Sequence, residues 1–134
     1  MIVVDTNVIA YLFLGGEKTP LARRAFQKDP LWAAPVLWRS EFRNILALYL
    51  RQGKVVLSDA LQLMGEAETL FEGFEFQVES VRVLSLVSAS PCSAYDCEFV
   101  GLAQELGVPL VTTDRRVLAE FPASAISLDV FASK

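Results

Sequence analysis

Short apolar runs alternate along this chain with longer segments in which apolar residues recur every three or four positions. The short runs, such as Ile2-Val3-Val4, predict strands, and the periodic segments predict amphipathic helices. The predicted strands are 2–4, 32–34, 74–78, 108–111 and 126–128. The predicted helices are 8–14, 19–28, 37–51, 58–71, 80–89, 93–106 and 115–120. This alternation favours an α/β fold with a mainly parallel sheet.

Capping and turn residues set the expected helix boundaries. Thr19 followed by Pro20 is typical of a helix N-terminus, and Ser58 and Ser93 stand where N-caps are expected. Gly107 follows an apolar periodic segment and predicts its C-terminal end.

The length of 134 residues fits a single domain, 1–134. Hydrophobic residues make up 53% of it, so we expect some apolar surface to contact a partner. No apolar run approaches the roughly 20 residues of a membrane-spanning helix. The first ten residues include Asp5 and lack the basic lead-in of a signal peptide. A cytoplasmic protein is therefore expected.

The chain contains no histidine and only two cysteines, Cys92 and Cys97. This composition excludes Ser-His-Asp and Cys-His catalysis and most zinc sites. Five positions apart on a helix, the two thiols would point to different faces, so a mutual disulfide is not expected. Catalysis would have to depend on carboxylates, hydroxyls, amides, Lys and Arg.

Four carboxylates occupy positions that such a fold can bring together. Asp5 and Asp114 come just after apolar strands, while Asp96 and Glu41 lie early in two predicted helices. Ligands of open parallel sheets bind beyond the carboxyl ends of the strands. Crowded carboxylates are costly unless they are paired, protonated or bound to a metal. Oxygen donors without nitrogen or sulfur indicate Mg²⁺ or Mn²⁺ rather than zinc.

Each of these acids also has an ordinary structural explanation. Asp5 and Asp114 could cap the helices that follow them. Asp96 has the spacing of a capping box with the serine three residues earlier. Glu41 could pair with Arg43 on a solvated helix face. The metal-site prediction therefore depends on the combination of the four acids and their order.

Three segments resemble the signatures of the PIN-domain family, specifically its VapC-type toxins. They are VVDTNVIAY, WRSEFRNIL and SAYDCEFVGLAQELGVPLVTTD. The first is similar to an apolar strand ending in Asp-Thr-Asn, and the second to an acid followed three positions later by Asn. The third, the most specific, combines an Asp that opens a helix with a strand ending in Thr-x-Asp. The resemblance covers nearly the whole chain and implies a three-layer α/β/α domain.

The resemblance also implies which residues form the site. The metal-binding catalytic acids would be Asp5, Glu41, Asp96 and Asp114. The auxiliary polar residues would be Asn7, Asn44 and Thr112. Arginines that flank the acids in sequence are candidates to contact phosphates, although a solvated position is the ordinary one for each: Arg39, Arg43, Arg115 and Arg116. For Glu98, a further acid near the site, we expect a solvated position.

The expected reaction is hydrolysis of RNA phosphodiester bonds. It needs a nucleophilic water, neutralisation of phosphate charge and an in-line leaving group, which one or two Mg²⁺ or Mn²⁺ ions can provide without histidine. The resemblance implies an endoribonuclease that leaves a 5′-phosphate and a 3′-hydroxyl and arrests translation or growth as a toxin. The net charge of −4 argues against binding RNA by bulk positive charge, but without the four proposed ligands 12 basic and 12 acidic residues remain.

Two alternatives stay open on the sequence alone. A phosphatase of the haloacid kind would have Asp-x-Asp at the first strand, where this chain has Asp5-Thr6-Asn7. A receiver domain would have paired acids and a downstream Lys at a strand end, and neither is evident. The other alternative is a catalytically silent PIN-like binding module.

The predicted helices 19–29 and 37–71 carry more large apolar side chains than one small sheet is expected to cover. The resemblance implies two uses for this surface, a homodimer interface and a groove for an amphipathic antitoxin segment. It further implies that the antitoxin sends a basic residue toward the acids. We therefore expect a dimer that binds a cognate antitoxin.

Overall fold

Five short strands form one parallel sheet in the computed structural model, which describes residues 1–133. They are β1 (Ile2–Val4), β2 (Trp32–Pro35), β3 (Glu75–Phe76), β4 (Leu110–Thr112) and β5 (Ala125–Ser127). Their order is β3-β2-β1-β4-β5, and every pairing is parallel. The three central strands are buried along their whole length, as strands covered on both faces are.

Helices flank this sheet and complete the predicted three-layer α/β/α domain. They are α1 (Thr6–Leu14), α2 (Thr19–Lys28), α3 (Trp38–Arg51), α4 (Leu57–Leu70), α5 (Ser80–Ser88), α6 (Ala94–Leu106), α7 (Arg115–Glu120) and α8 (Leu128–Ser133). Among residues 1–133, none of them combines the length and the apolar character that crossing a bilayer requires.

The capping predictions were correct for α6 and wrong for two other helices. The Ser93 hydroxyl accepts a hydrogen bond from the backbone of Asp96, and Gly107 ends α6 with a φ of 68°. Thr19 is the first residue of α2 rather than its cap, because its hydroxyl donates to the carbonyl oxygen of Tyr11. Ser58 lies inside α4, which begins at Leu57 without a side-chain cap.

Several predicted boundaries also differ from the structure. The predicted strand 74–78 is shortened to β3, because only Glu75 and Phe76 pair with β2. The strand predicted at 108–111 is β4, which starts two residues later, and α1 starts at Thr6 rather than Val8. The last strand ends at Ser127, and helix α8 was not predicted. Its burial of Leu128 and Phe131 depends on tertiary contacts with α2 that periodicity over six residues does not reveal.

An aromatic cluster joins α3 to α4 in the core. The rings of Trp38 and Phe71 have their centroids 4.8 Å apart, and Phe42 packs 6.0 Å from Trp38. All three side chains are fully buried, which fixes the start of α3 against the domain.

Cys92 and Cys97 are buried and free, so the expectation of no mutual disulfide is confirmed.

Candidate active site

Two adjacent strands carry acids to the same edge of the sheet. Val4 at the end of β1 is in register with Val111 of β4, and Asp5 and Asp114 follow these strands. The carboxyl ends of parallel strands form the edge at which ligands bind in open sheets. A cavity of about 270 Å³ opens there. Its lining, which we call the acid cavity, consists of Asp5, Thr6, Asn7, Glu41, Asn44, Ile45, Asp96 and Asp114.

The structure thus brings all four predicted acids to one cavity, from four different elements. Asp5 and Asp114 precede α1 and α7, Glu41 lies in the first turn of α3, and Asp96 lies in the first turn of α6. None of the eight lining residues is a Lys or an Arg. The acids therefore face one another across the cavity without a lining cation to neutralise them.

Asp5 is the most constrained of the four acids. Its Oδ1 accepts a hydrogen bond from the backbone of Val8 at 3.0 Å, which caps α1, and its Oδ2 accepts one from the Thr112 hydroxyl. Burial raises the pKa of Asp5 from its ordinary value of 3.8 to about 6, against the lowering effect of these hydrogen bonds. The nearby charge of Asp114 adds to the increase.

Glu41 enters the cavity from α3 and is held by a threonine. The Thr6 hydroxyl donates a hydrogen bond of 2.6 Å to Oε1 of Glu41. Burial raises the pKa of Glu41 and the charge of Asp96 adds to this, while the hydrogen bond from Thr6 lowers it. Glu41 therefore points into the site, and the alternative of a solvated pair with the exposed Arg43 is wrong.

The capping explanations for Asp5 and Asp114 are also correct, and they coexist with a position in the cavity. Oδ1 of Asp114 accepts a hydrogen bond of 3.0 Å from the backbone of Val117 and so caps α7. The backbone N–H of Asp114 in turn donates to the Thr112 hydroxyl at 3.0 Å. Because capping uses one carboxylate oxygen, the second oxygen of Asp114 is left for another role.

The predicted auxiliary residues also lie at this site. Asn7 and Asn44 line the cavity with exposed side chains. Thr112 is 1% exposed and lies behind Asp5, in a smaller neighbouring pocket that it lines with Asp5, Asp96 and Asp114. Its hydroxyl joins Asp5 of one strand end to Asp114 of the next.

The four arginines fall into two groups. Arg43, Arg115 and Arg116 are exposed and lie outside the lining of the cavity. Arg39 is instead taken up by acids elsewhere, because its guanidinium donates to Glu75 at 2.6 and 2.7 Å and also to Glu68. The structure therefore gives Arg39 a partner within the protein, in place of the phosphate contact that its position in the sequence suggested.

Two residues of this region were missed or misplaced by sequence reasoning. Thr6 was not singled out, although it stands between Asp5 and Asn7 at the first position of α1. Glu98 was expected in solvent, but its side chain is half-buried, and burial with the charge of Glu41 raises its pKa. Its position two residues after Asp96 was the only available signal, and it does not reveal which helix face packs inward.

The donor set of the acid cavity fits a hard divalent cation. All potential ligands are carboxylate, amide or hydroxyl oxygens, which suit Mg²⁺ or Mn²⁺. The raised pKa values of Asp5 and Glu41 are those of acids that lack a compensating positive charge. As the side chains stand, no three acidic or cysteine residues within 1–133 are gathered closely enough to hold an ion. An ion would therefore have to draw the carboxylates inward.

Known proteins match this chain over nearly its whole length. The ribonuclease VapC3 of Pyrobaculum aerophilum is 27% identical over 125 residues, which cover 91% of this chain and 95% of that protein. The crystal structure of PAE2754 from the same organism superposes with a TM-score of 0.77 at 21% identity, covering 98% of this chain and 93% of the other. A toxin–antitoxin complex from Klebsiella pneumoniae contains a chain with a TM-score of 0.70 at 16% identity, covering 96% and 98%.

The two structural matches establish a common fold, and a family model makes the assignment more specific. The model of the PIN domain matches residues 2–123, a range that includes every carboxylate of the acid cavity. This agrees with the resemblance of the three sequence segments and with the parallel α/β/α architecture. The chain belongs to the PIN domain family.

Proposed function

We propose that this protein is an Mg²⁺- or Mn²⁺-dependent endoribonuclease that acts as the toxin of a toxin–antitoxin pair. The observation that carries the proposal is the acid cavity, in which four carboxylates meet without a basic lining residue. Such a site is costly for the empty protein and favourable for one that binds a divalent cation. The similarity to a ribonuclease over 91% of the chain supports RNA as the substrate.

In this proposal Asp5, Glu41, Asp96 and Asp114 hold the cation or cations. When bound, a divalent cation supplies Lewis-acid activation of water and neutralises charge on the phosphate. The residues of the chain position the ligands, since Thr112 and the Val8 backbone fix both oxygens of Asp5. The exposed amides of Asn7 and Asn44 on the cavity wall are placed to donate to phosphate oxygens.

Phosphate groups on either side of the cleaved bond would contact exposed arginines near the site. We assign this role to Arg43, which follows Glu41 by two positions in the sequence, and to Arg115 and Arg116, which follow Asp114 directly. Arg39 is left out because Glu68 and Glu75 already neutralise it. Local positive charge of this kind allows an acidic protein to bind RNA at one face.

The toxin role needs a protein partner, and an apolar face is available for one. Large apolar side chains at the end of α3 and the start of α4 are exposed by 52 to 63%: Leu48, Val56, Leu57 and Leu61. Helix α2, which was expected to contribute, has its large apolar residues half-buried against the core. We propose that an amphipathic antitoxin segment and a second copy of the chain cover apolar surface of this kind. The similarity to a chain of a toxin–antitoxin complex supports this partner.

The decisive experiment is cleavage of a defined RNA by the purified protein in Mg²⁺, in Mn²⁺ and in EDTA. We expect cleavage in either metal, none in the chelator, and 5′-phosphate ends on the products. Glu68→Gln, which removes an acid outside the cavity, is the matched control for Glu41→Gln inside it. Undiminished cleavage in EDTA would contradict the metal mechanism. Hydrolysis of a phosphomonoester without RNA cleavage would favour the phosphatase alternative.

A further inference from the structure

One hydrogen bond connects the cavity acid of α3 to the first residue of α1. Oγ1 of Thr6 lies 2.6 Å from Oε1 of Glu41, and the two residues are 35 positions apart in the chain. Thr6 is 6% exposed, so water cannot readily replace its hydroxyl. Within residues 1–133, Oε2 of Glu41 accepts no hydrogen bond, which leaves that oxygen open to the cavity.

The local structure explains why this hydroxyl is well fixed. Asp5 caps α1 through the backbone of Val8, and this places Thr6 at the first helical position. Thr6 therefore cannot move without disturbing Asp5, which is itself a cavity acid. Thr112 makes the corresponding contact on the other side of the site, where its hydroxyl donates to Asp5. Each of the two cavity acids with a raised pKa is thus held by a buried threonine.

The charges around Glu41 favour its leaving the cavity. Asp96 acts on Glu41 as a like charge, and Glu41 acts in the same way on Glu98. No residue of the cavity lining is a cation that would counter this repulsion. The hydrogen bond from Thr6 opposes this outward movement.

We propose that Thr6 is a positioning residue that holds Glu41 with one oxygen bonded and the other free to ligate a divalent cation. The inference rests on the proposed function, because it gives Thr6 a role only through a cation-binding Glu41. Groups that orient metal ligands typically change metal affinity or activity by about 10- to 100-fold when they are removed.

The experiment measures Mn²⁺ affinity by calorimetry, independently of catalysis, together with thermal stability. Thr6→Val keeps the shape and removes the hydroxyl, whereas Thr6→Ser keeps the hydroxyl. We expect Mn²⁺ to bind about 10-fold more weakly to Thr6→Val, and Thr6→Ser to stay within about twofold of the wild type. Thr19→Val is the matched control, because Thr19 is also the buried first residue of a helix, and its hydroxyl also donates a hydrogen bond. It should lower stability and leave Mn²⁺ affinity unchanged.

A double-mutant cycle tests whether Thr6 acts through Glu41. In the Glu41→Gln background, Thr6→Val should cause no further loss of Mn²⁺ affinity. Wild-type affinity in Thr6→Val, or an equal loss in Thr19→Val, would overturn the inference. If Thr6→Val does not fold, Thr6→Ala compared with Thr6→Ser answers the same question. A wild-type protein that binds no Mn²⁺ would instead contradict the proposed function itself.

Discussion

Two groups of acids in this molecule both include a residue of α3 and are opposite in electrostatic character. Glu41 of α3 belongs to the acid cavity. Arg39, two positions earlier on the same helix, belongs to a second group, which we call the Arg39 cluster. Its other members are Trp38, Glu68 and Glu75. In the Arg39 cluster the guanidinium lowers the pKa of Glu75. In the acid cavity burial raises the pKa of Asp5 and Glu41.

The difference distinguishes acids whose charge is neutralised within the protein from acids whose charge is not. Glu75 accepts hydrogen bonds from Arg39 and from the indole of Trp38, so its charge is neutralised within the protein. The four cavity acids have no lining cation. The pKa values of Asp5 and Glu41 are raised in the fold, so the charges of these two acids make the fold less stable at neutral pH. Sites that cost stability in this way are characteristic of function.

The strongest test of this contrast is Asp5→Asn, which removes one cavity charge and keeps the shape. We expect RNA cleavage to fall by about a thousandfold or more, because Asp5 holds the cation in the proposed mechanism and a bound cation contributes several kcal/mol to transition-state stabilisation. The measurement is the initial rate on a defined RNA in Mg²⁺, with Glu75→Gln as the variant from the Arg39 cluster. A fully active Asp5→Asn protein would show that Asp5 does not take part in catalysis.

The second test breaks the Arg39 cluster. Arg39→Met leaves Glu75 partly buried without its cation, so we expect a loss of about 1 to 2 kcal/mol in the free energy of unfolding. Mn²⁺ affinity should not change, because Arg39 does not line the acid cavity. Chemical denaturation provides the measurement, and Arg51→Met, at an exposed position of the same helix, should cost less than about 0.5 kcal/mol. Equal losses in the two variants would show that the cluster contributes no stability.

The third test uses pH on the metal-free protein. Because the pKa of Asp5 is raised in the folded state, its favourable contribution is present below pH 3.8 and is lost as the pH rises through about 6. Asp5→Asn avoids this loss, so it should be more stable than the wild type by about 1 to 2 kcal/mol at pH 7.5. Near pH 4 the difference should be small.

Thermal unfolding between pH 4 and pH 7.5 measures this effect. The contribution of Glu75 to stability depends on pH with the opposite sign. Its pKa is lowered, so its contribution is present above its ordinary pKa and is lost as the pH falls through the lowered value. A stability difference between Asp5→Asn and the wild type that does not vary with pH would mean that Asp5 is not destabilised by burial.

Sequence reasoning predicted the cavity better than the Arg39 cluster for a physical reason. Asp5 and Asp114 follow apolar strands, and the parallel topology alone brings such positions to one edge. Arg39 meets Glu68 and Glu75 across 29 and 36 positions, through the packing of α3 on α4 and the pairing of β3. No local pattern encodes those contacts. The same limit applies to the bond between Thr6 and Glu41 and to helix α8.

The smallest expected effect concerns the arginines next to the cavity. Arg115 and Arg116 are adjacent, exposed and directly after Asp114, and a second exposed pair, Arg23 and Arg24, lies on α2. Changing either pair to Gln removes two positive charges, so the two double variants have the same net charge. If RNA passes over the acid cavity, only the loss of Arg115 and Arg116 should weaken RNA binding, by about fivefold at low salt. Binding is measured in the Asp5→Asn background, where the RNA stays intact, and the salt dependence should also become shallower by about one phosphate contact. If both double variants weaken RNA binding equally, the binding depends on the total charge of the protein rather than on arginines at one place. In that case the contrast between the two acid groups would still identify the proposed cation site, but it would not show where the RNA binds.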